Sequence, residues 1–262
     1  MIAGYRKLPR TEASILNAVG LIGFFIVWQV ISMLGIVPTQ FLPSPIQVFA
    51  KLIHLTYEPF AGFTIQQHIL SSLGRFGLGF GLAVVIGVPL GLMMGWFGWL
   101  DDVISPLFEA IRFVAPIAWV PFAALWFGTG ISGPTLIIFT GAFPPCLINS
   151  YRGAKFVDLK YIEAAKMLGI SNFRMITEVL LPASLPSITA GLRIAAGLGW
   201  MSLVGAELIV ASSGSGYMMV KGQSSINTPI VMSGMIAIGF VGFCIDLLLS
   251  SVQNRIRSAY AQ

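Results

Sequence analysis

The chain has 262 residues, 56% of them hydrophobic and only 10% charged, with a net charge of +5 and a mean hydropathy of +0.87. A soluble domain is about a quarter charged, so a water-facing globular domain of any size is excluded. The positive excess sits at the flanks of apolar runs, which fits a membrane topology and not nucleic-acid binding.

Apolar runs of about 20 residues recur along the whole length, the signature of helices crossing a bilayer. The N-terminal stretch MIAGYRKLPRTEAS is basic and precedes an apolar run from Ile15 to Val37. That run is about twice the length of a signal peptide's and has no A-x-A-like end, so it reads as an uncleaved first span. Six spans are predicted, at 15–37, 68–96, 103–127, 131–150, 185–211 and 230–252. Together they make an all-α integral membrane domain.

After the first span, PTQFLPSPIQVFAKLIHLTYEPF stops the helix with its prolines, and a short surface helix is expected from Ile46. The second span carries Ala83, Gly87, Gly91 and Gly95, one small residue in every four. Such a stripe admits a close helix neighbour, either within the chain or in a second copy. Asp101 and Asp102 stand at the next turn, where one of them is expected to cap the third span. Pro106, Pro116 and Pro121 in span three, and Pro144 and Pro145 in span four, suggest broken helices in spans that move, although proline is also simply common in membrane helices. Residues 212–229, rich in Ser and Gly, read as a loop. Cys146 and Cys244 lie in apolar runs far apart and read as small buried hydrophobes, with neither a disulfide nor a metal site.

The Lys and Arg residues between the spans orient the chain. Arg6, Lys7 and Arg10 precede span one; Arg152, Lys155, Lys160, Lys166 and Arg174 lie between spans four and five; Arg255 and Arg257 follow span six. The opposite side holds little more than Lys51 and Lys221. The positive-inside rule places both termini and the 153–182 segment in the cytoplasm.

That segment is unusually charged for this chain. From Asp158, DLKYIEAAKMLG has helical periodicity, with Tyr161, Ile162, Ala165 and Leu168 on one face and Lys160, Glu163 and Lys166 on the other. Gly169 is where the helix would end. Ser171 or Asn172 would cap a second helix, FRMITEVLL, closed by Pro182. The residues alone leave two uses open: a helix offered to a partner's groove, or an amphipathic hairpin lying on lipid headgroups.

Glu163-Ala164-Ala165, three residues, Gly169, nine residues, then Val179-x-Leu181-Pro182 resembles the EAA loop of type I ABC importer permeases, with Val in place of Ile as the only change. FLPSPIQVF, AIRFVAPIAWVPFAALWFGTG, PASLPSITAGLRIAAGLGWMSLVGAEL and ASSGSGYMM are similar to the nitrate, sulfonate, taurine and bicarbonate branch of that family. The likeness covers the chain from about Phe41 to Met219. One departure is Gly214-Ser215-Gly216-Tyr217, where that branch usually has Gly-Leu-Gly-Tyr.

The resemblance implies a single permease domain over 1–262, with a first span, an external segment at 38–67, a five-helix core at 68–252 and the EAA loop at 153–182. It implies a second permease copy, usually forming a homodimer, two cytoplasmic ABC ATPase subunits, an external substrate-binding protein and a site in the cell (inner) membrane. By the same token 158–169 would be a coupling helix, with Glu163, Ala164, Ala165, Lys166, Leu168 and Gly169 contacting or presenting it to the ATPase. The solute would be nitrate, taurine, an alkanesulfonate, bicarbonate or a small heterocycle, and no cofactor is implied.

The chain's own residues agree that the energy comes from elsewhere. No G-x-x-x-x-G-K-S/T phosphate loop occurs, so ATP hydrolysis is not expected of this chain. Ionisable residues at membrane depth are functional candidates: Arg112, Arg193, Glu207, Asp246 and Arg75, of which Arg112, Arg193 and Glu207, with Ser202, are candidates to line a path for a small anion. Ser212, Ser213 and Ser215 are further polar candidates. A membrane-embedded enzyme is poorly supported, since His54 and His68 are the only histidines and neither H-E-x-x-H nor G-x-S-x-G occurs. An ion-coupled secondary transporter would be expected to show inverted repeats and more intramembrane carboxylates than Glu207 and Asp246.

Overall fold

A computed structural model describes residues 10–35, 37–128 and 130–260. Among them the chain is built from helices, with only an isolated bridge between Phe60 and Phe63 outside that pattern. Arg6 and Lys7 lie outside the described residues.

Helix α1 (Arg10–Met33) is followed by a linker and by α2 (Pro45–Tyr57). Ser44 caps α2 in a reciprocal capping box with Gln47, and Pro45 occupies the first turn, where its missing N–H costs nothing. The linker is tied to α1, since Trp28 Nε1 donates to Pro43 O at 3.1 Å and Ser32 Oγ to Leu42 O at 3.1 Å. Helix α3 (Ile65–Trp96) then runs the length of the molecule.

The predicted third span is not one helix. It is α4 (Gly98–Ile111) and, after a 3₁₀ turn at Pro116–Trp119, α5 (Val120–Phe127), with a bend of 86° between the two arms. Pro116 is the cause, because it drives Ala115 out of the helical region to φ −56°, ψ 138°. Pro106 is absorbed inside α4, and Pro121 falls harmlessly in the first turn of α5. Nor does either aspartate cap α4. Its N-cap is Phe97, and Asp101 instead accepts from Tyr151 Oη at 2.6 Å and Lys155 Nζ at 3.0 Å.

Helix α6 (Ser132–Lys155) stays continuous through Pro144 and Pro145, contrary to the expected break. It packs between α3 and α9 (Leu181–Val210) along most of its length. The small-residue stripe is the reason for the close fit. A Cβ on Gly91 would sit 2.5 Å from Leu147 O, and one on Gly95 2.6 Å from the Ala154 Cβ. The stripe is thus used inside the chain, against α6.

Between α6 and α9 lie α7 (Leu159–Met167), the short α8 (Asn172–Arg174) and a π-helical turn, Met175–Leu180. Pro182 does not close a helix here. It falls in the first turn of α9, just after the wide π turn, and residues 172–210 form one rod of 39 residues. The expected 212–229 loop also contains a helix, α10 (Ser215–Ser224), before α11 (Thr228–Tyr260) returns along the molecule.

Four helical stretches are long and apolar enough to cross a membrane, and the bent α4–α5 pair makes a fifth. Helix α6, the remaining expected span, is not among them. Flanked by α3 and α9, it can carry Pro144, Pro145, Asn149 and Ser150 because those helices, and not lipid, surround much of it.

Candidate functional site

The EAA segment is a hairpin held by its own caps. Asp158 caps α7, its carboxylate accepting from Lys160 N at 3.1 Å. At the other end Gly169 has φ +69°, Gly169 N donates to Lys166 O at 3.0 Å and Ile170 N to Ala165 O at 3.3 Å. These are the two bonds of a Schellman motif, whose left-handed residue is glycine by default. Ala165, 4% exposed, anchors the underside of α7 against Met175 and Leu180 of the π turn, and Lys166 Nζ lies 5.9 Å from the Trp96 ring. The face expected to be apolar is split. Ile162 and Ala165 turn inward, while Tyr161 and Leu168, at 64% and 80% exposed, turn out beside Leu159 and Met167. Glu163 and Ala164 are exposed with them. The hairpin thus presents a mixed apolar and charged ridge at one end of the molecule.

At the opposite end of α3 and α9 lies a buried polar cluster. Glu207, 1% exposed, accepts from Arg75 Nη1 at 2.9 Å, from Ser72 Oγ at 2.8 and 2.9 Å on its two oxygens, and from Gly216 N at 2.9 Å. Arg75 also donates to Ser213 O and Ser213 Oγ, both at 2.7 Å. Ser215 N donates to Ser72 Oγ at 3.0 Å. His68 completes the cluster: Gly214 N donates to its Nδ1 at 3.1 Å, which leaves Nε2 to donate to Phe60 O at 3.0 Å. Two amides of the α10 N-terminal region therefore meet the carboxylate and its serine partner, an arrangement that also suits the helix dipole. The glycines are demanded by this approach. A Cβ on Gly214, at φ +108°, would overlap the Glu207 carboxylate, and one on Gly216 would lie 2.6 Å from the Glu207 Cβ. The Gly-Ser-Gly-Tyr departure thus keeps the two glycines that the geometry needs.

The four path candidates are not brought together. Arg112 pairs with Glu109 at 2.6 Å and covers the Phe113 ring. Arg193 makes a two-bond pair with Asp246 at 2.6 and 2.7 Å, tying α9 to α11. Ser202 donates to Leu198 O at 2.7 Å and packs over Gly141 of α6. Only Glu207 lies in a multi-residue site. Its partners were legible only in part: His68, Ser72 and Arg75 recur at helical spacing on one face of an apolar span, a polar stripe continuous with the small-residue stripe.

Residues 87–261 match the family of binding-protein-dependent transport system inner membrane components. The chain is 36% identical over 231 residues to the taurine transport system permease protein of Escherichia coli (strain K12), covering 88% of this chain and 84% of that one. It is 34% identical over 233 residues to the putative aliphatic sulfonates transport permease protein of Bacillus subtilis (strain 168), covering 88% and 82%. It is 31% identical over 253 residues to the bicarbonate transport system permease protein of Synechococcus elongatus, covering 94% and 90%. The inward-facing methionine ABC transporter MetNI has the same fold, with a TM-score of 0.63 at 16% identity over 71% of this chain and 93% of that one. The chain belongs to the binding-protein-dependent transport permease family. It is the permease subunit of an ABC importer, a membrane protein served by separate ATPase subunits and a substrate-binding protein.

Proposed function

We propose that this permease conducts a small oxyanionic solute, a sulfonate such as taurine or bicarbonate, through a pathway between two identical copies. The observation that carries the solute class is the shared chemistry of three relatives along most of their lengths: taurine and aliphatic sulfonates bear a sulfonate head, and bicarbonate is a small oxyanion. Nitrate belongs to the same chemical class. In this reading 1–262 is one permease domain of the cell (inner) membrane, with both termini and the 153–182 hairpin in the cytoplasm.

The hairpin is the transmission. Its exposed ridge, Leu159, Tyr161, Glu163, Ala164, Met167 and Leu168, enters a groove of the ATPase, and Ala165 passes the push to the π turn at the foot of α9. Gly169 fixes the angle of the ridge. No atom lies within 4 Å of a Cβ built on Gly169, so backbone conformation, and not space, restricts that position. Asparagine tolerates the left-handed region and β-branched residues do not. With the ATPase and binding protein reconstituted in proteoliposomes, Gly169→Asn retains uptake of labelled taurine or bicarbonate close to wild type. Gly169→Val cuts uptake tenfold or more while ATP hydrolysis continues. Equal uptake by the two variants would refute the assignment.

A further inference from the structure

The other end of the molecule carries a second Schellman motif, built on the wrong residue. At the end of α10, Ile226 N donates to Gln223 O at 3.0 Å and Asn227 N to Gly222 O at 2.9 Å, the same pair of bonds that closes α7. The left-handed position, filled by Gly169 in α7, is here Ile226 at φ +52°. A β-branched residue is strongly disfavoured in that conformation. Burial does not compensate, because Ile226 is 72% exposed. The strained side chain stands on the wall of a groove of about 630 Å³, lined also by Thr39, Gln40, Gln47, Lys51, His54 and Asn227.

The groove offers hydrogen-bond donors. Lys51 has no carboxylate partner among the described residues, and Gln47 gives its Oε1 to Ser44 N at 3.0 Å, leaving its amide N–H groups to the groove. His54 on the groove wall lies 3.1 Å from Glu58, and no Asp or Glu lines the groove among the described residues. The walls are fixed to the body of the molecule: Ser233 Oγ shares its proton between Pro229 O at 2.7 Å and Val48 O at 3.1 Å, and Thr228 Oγ1 bonds Gln40 O. Helix α10 links this groove at its C-terminal end to the Glu207–Arg75 cluster at its N-terminal end.

We infer that the groove between α2 and the 225–229 turn is the docking site for the substrate-binding protein, with Ile226 as an apolar knob and Lys51 as the pair for a carboxylate on the docking lobe. This rests on the reading that the groove end faces outward. A knob held ready on a rigid turn loses little entropy on binding, and a lone ammonium at the rim steers an acidic surface toward it. The docked lobe would bear on α10, and through it on the cluster that holds α10 to α3 and α9.

The test uses the permease–ATPase complex in lipid nanodiscs and its cognate binding protein, without added solute and with taurine or bicarbonate. ATP hydrolysis is followed as binding protein is titrated. Ile226→Gly removes the knob while relaxing the backbone, so a folding defect cannot explain its effect. It raises the half-maximal binding-protein concentration at least fivefold and leaves basal hydrolysis unchanged. Lys51→Glu raises it at least tenfold and inverts its salt dependence, because salt then screens a repulsion. Titrations of both variants that overlay the wild type would overturn the docking site while leaving the importer reading intact. A wild-type complex to which the binding protein adds nothing would overturn that reading, and the docking site with it.

Discussion

Glu207 shows how a carboxylate is kept at membrane depth. A charge removed from water is very costly unless paired and hydrogen-bonded, and here three donors, Arg75 Nη1, Gly216 N and a Ser72 hydroxyl shared between the two oxygens, reach the carboxylate within 2.9 Å. Arg75 is less well served, since its Nε is buried without a partner among the described residues. Truncating either partner strands the other: Glu207→Ala or Arg75→Ala should each cost about 3–5 kcal/mol, as for any broken buried pair. The double variant should cost distinctly less than the sum, because it leaves no uncompensated charge. Thermal unfolding of the four purified forms in one detergent measures this. Additive losses would mean that the two residues act independently and that the cluster is not the anchor of α10. Glu207 was marked by the sequence as a rare intramembrane acid, but its side-chain partners lie 132 and 135 residues away. No local spacing in the Glu207 segment could reveal them. The polar stripe His68, Ser72 and Arg75 was the available signal, and it was overshadowed by the small-residue stripe that continues it.

At the scale of elements, length and apolar pattern located most helices, while proline marked the break in the third span and misled in the fourth. Proline removes one donor and crowds the preceding residue, but whether a helix then breaks depends on what holds it. Pro144 and Pro145 sit where α3 and α9 grip α6 from both sides, and the helix persists. Pro116 follows a segment, 112–115, with no buried residue, and there the chain turns through 86°. Pro182 is rescued by the π turn ahead of it, a local geometry that no apolar period announces. The EAA hairpin was legible because Asp158 and Gly169 act through their own backbone neighbours. The grip on α6 can be tested by contrast along α3. Gly91 faces α6, and a Cβ there would lie 2.5 to 2.9 Å from Leu147 O, Ser150 Cβ and Tyr151 N. Gly77 faces outward with nothing within 4 Å. Gly91→Ala should therefore destabilise by about 1–3 kcal/mol through overpacking, while Gly77→Ala should change stability by less than about 1 kcal/mol. Thermal unfolding of the two variants in one detergent compares them. Equal stability would place the contact of α3 elsewhere.

Over the whole molecule, the two ends differ in charge as well as in shape. The hairpin end gathers Arg152, Lys155, Lys160, Lys166, Arg174, Arg255 and Arg257, while the groove end holds Lys51 and Lys221. In the proposed orientation the hairpin end is cytoplasmic, as the positive-inside rule expects, so that α9 runs outward from hairpin to groove and α11 runs back. The two strongest markers are exposed side chains at opposite ends, Leu168 at 80% and Ile226 at 72%. Replacing the native Cys146 and Cys244 by alanine clears the background, and Leu168→Cys or Ile226→Cys then supplies one thiol at a chosen end. A membrane-impermeant maleimide added to intact spheroplasts should label Ile226→Cys at once and Leu168→Cys only after the membrane is opened. In inverted vesicles stripped of peripheral subunits the order should reverse. The opposite pattern would turn the molecule over, placing the hairpin beyond reach of any ATPase and removing the groove from the side where a binding protein delivers its solute. Labelling of both sites from one side would instead break the odd count of crossings between them, and with it the reading of the 39-residue rod from Asn172 to Val210 as a single span.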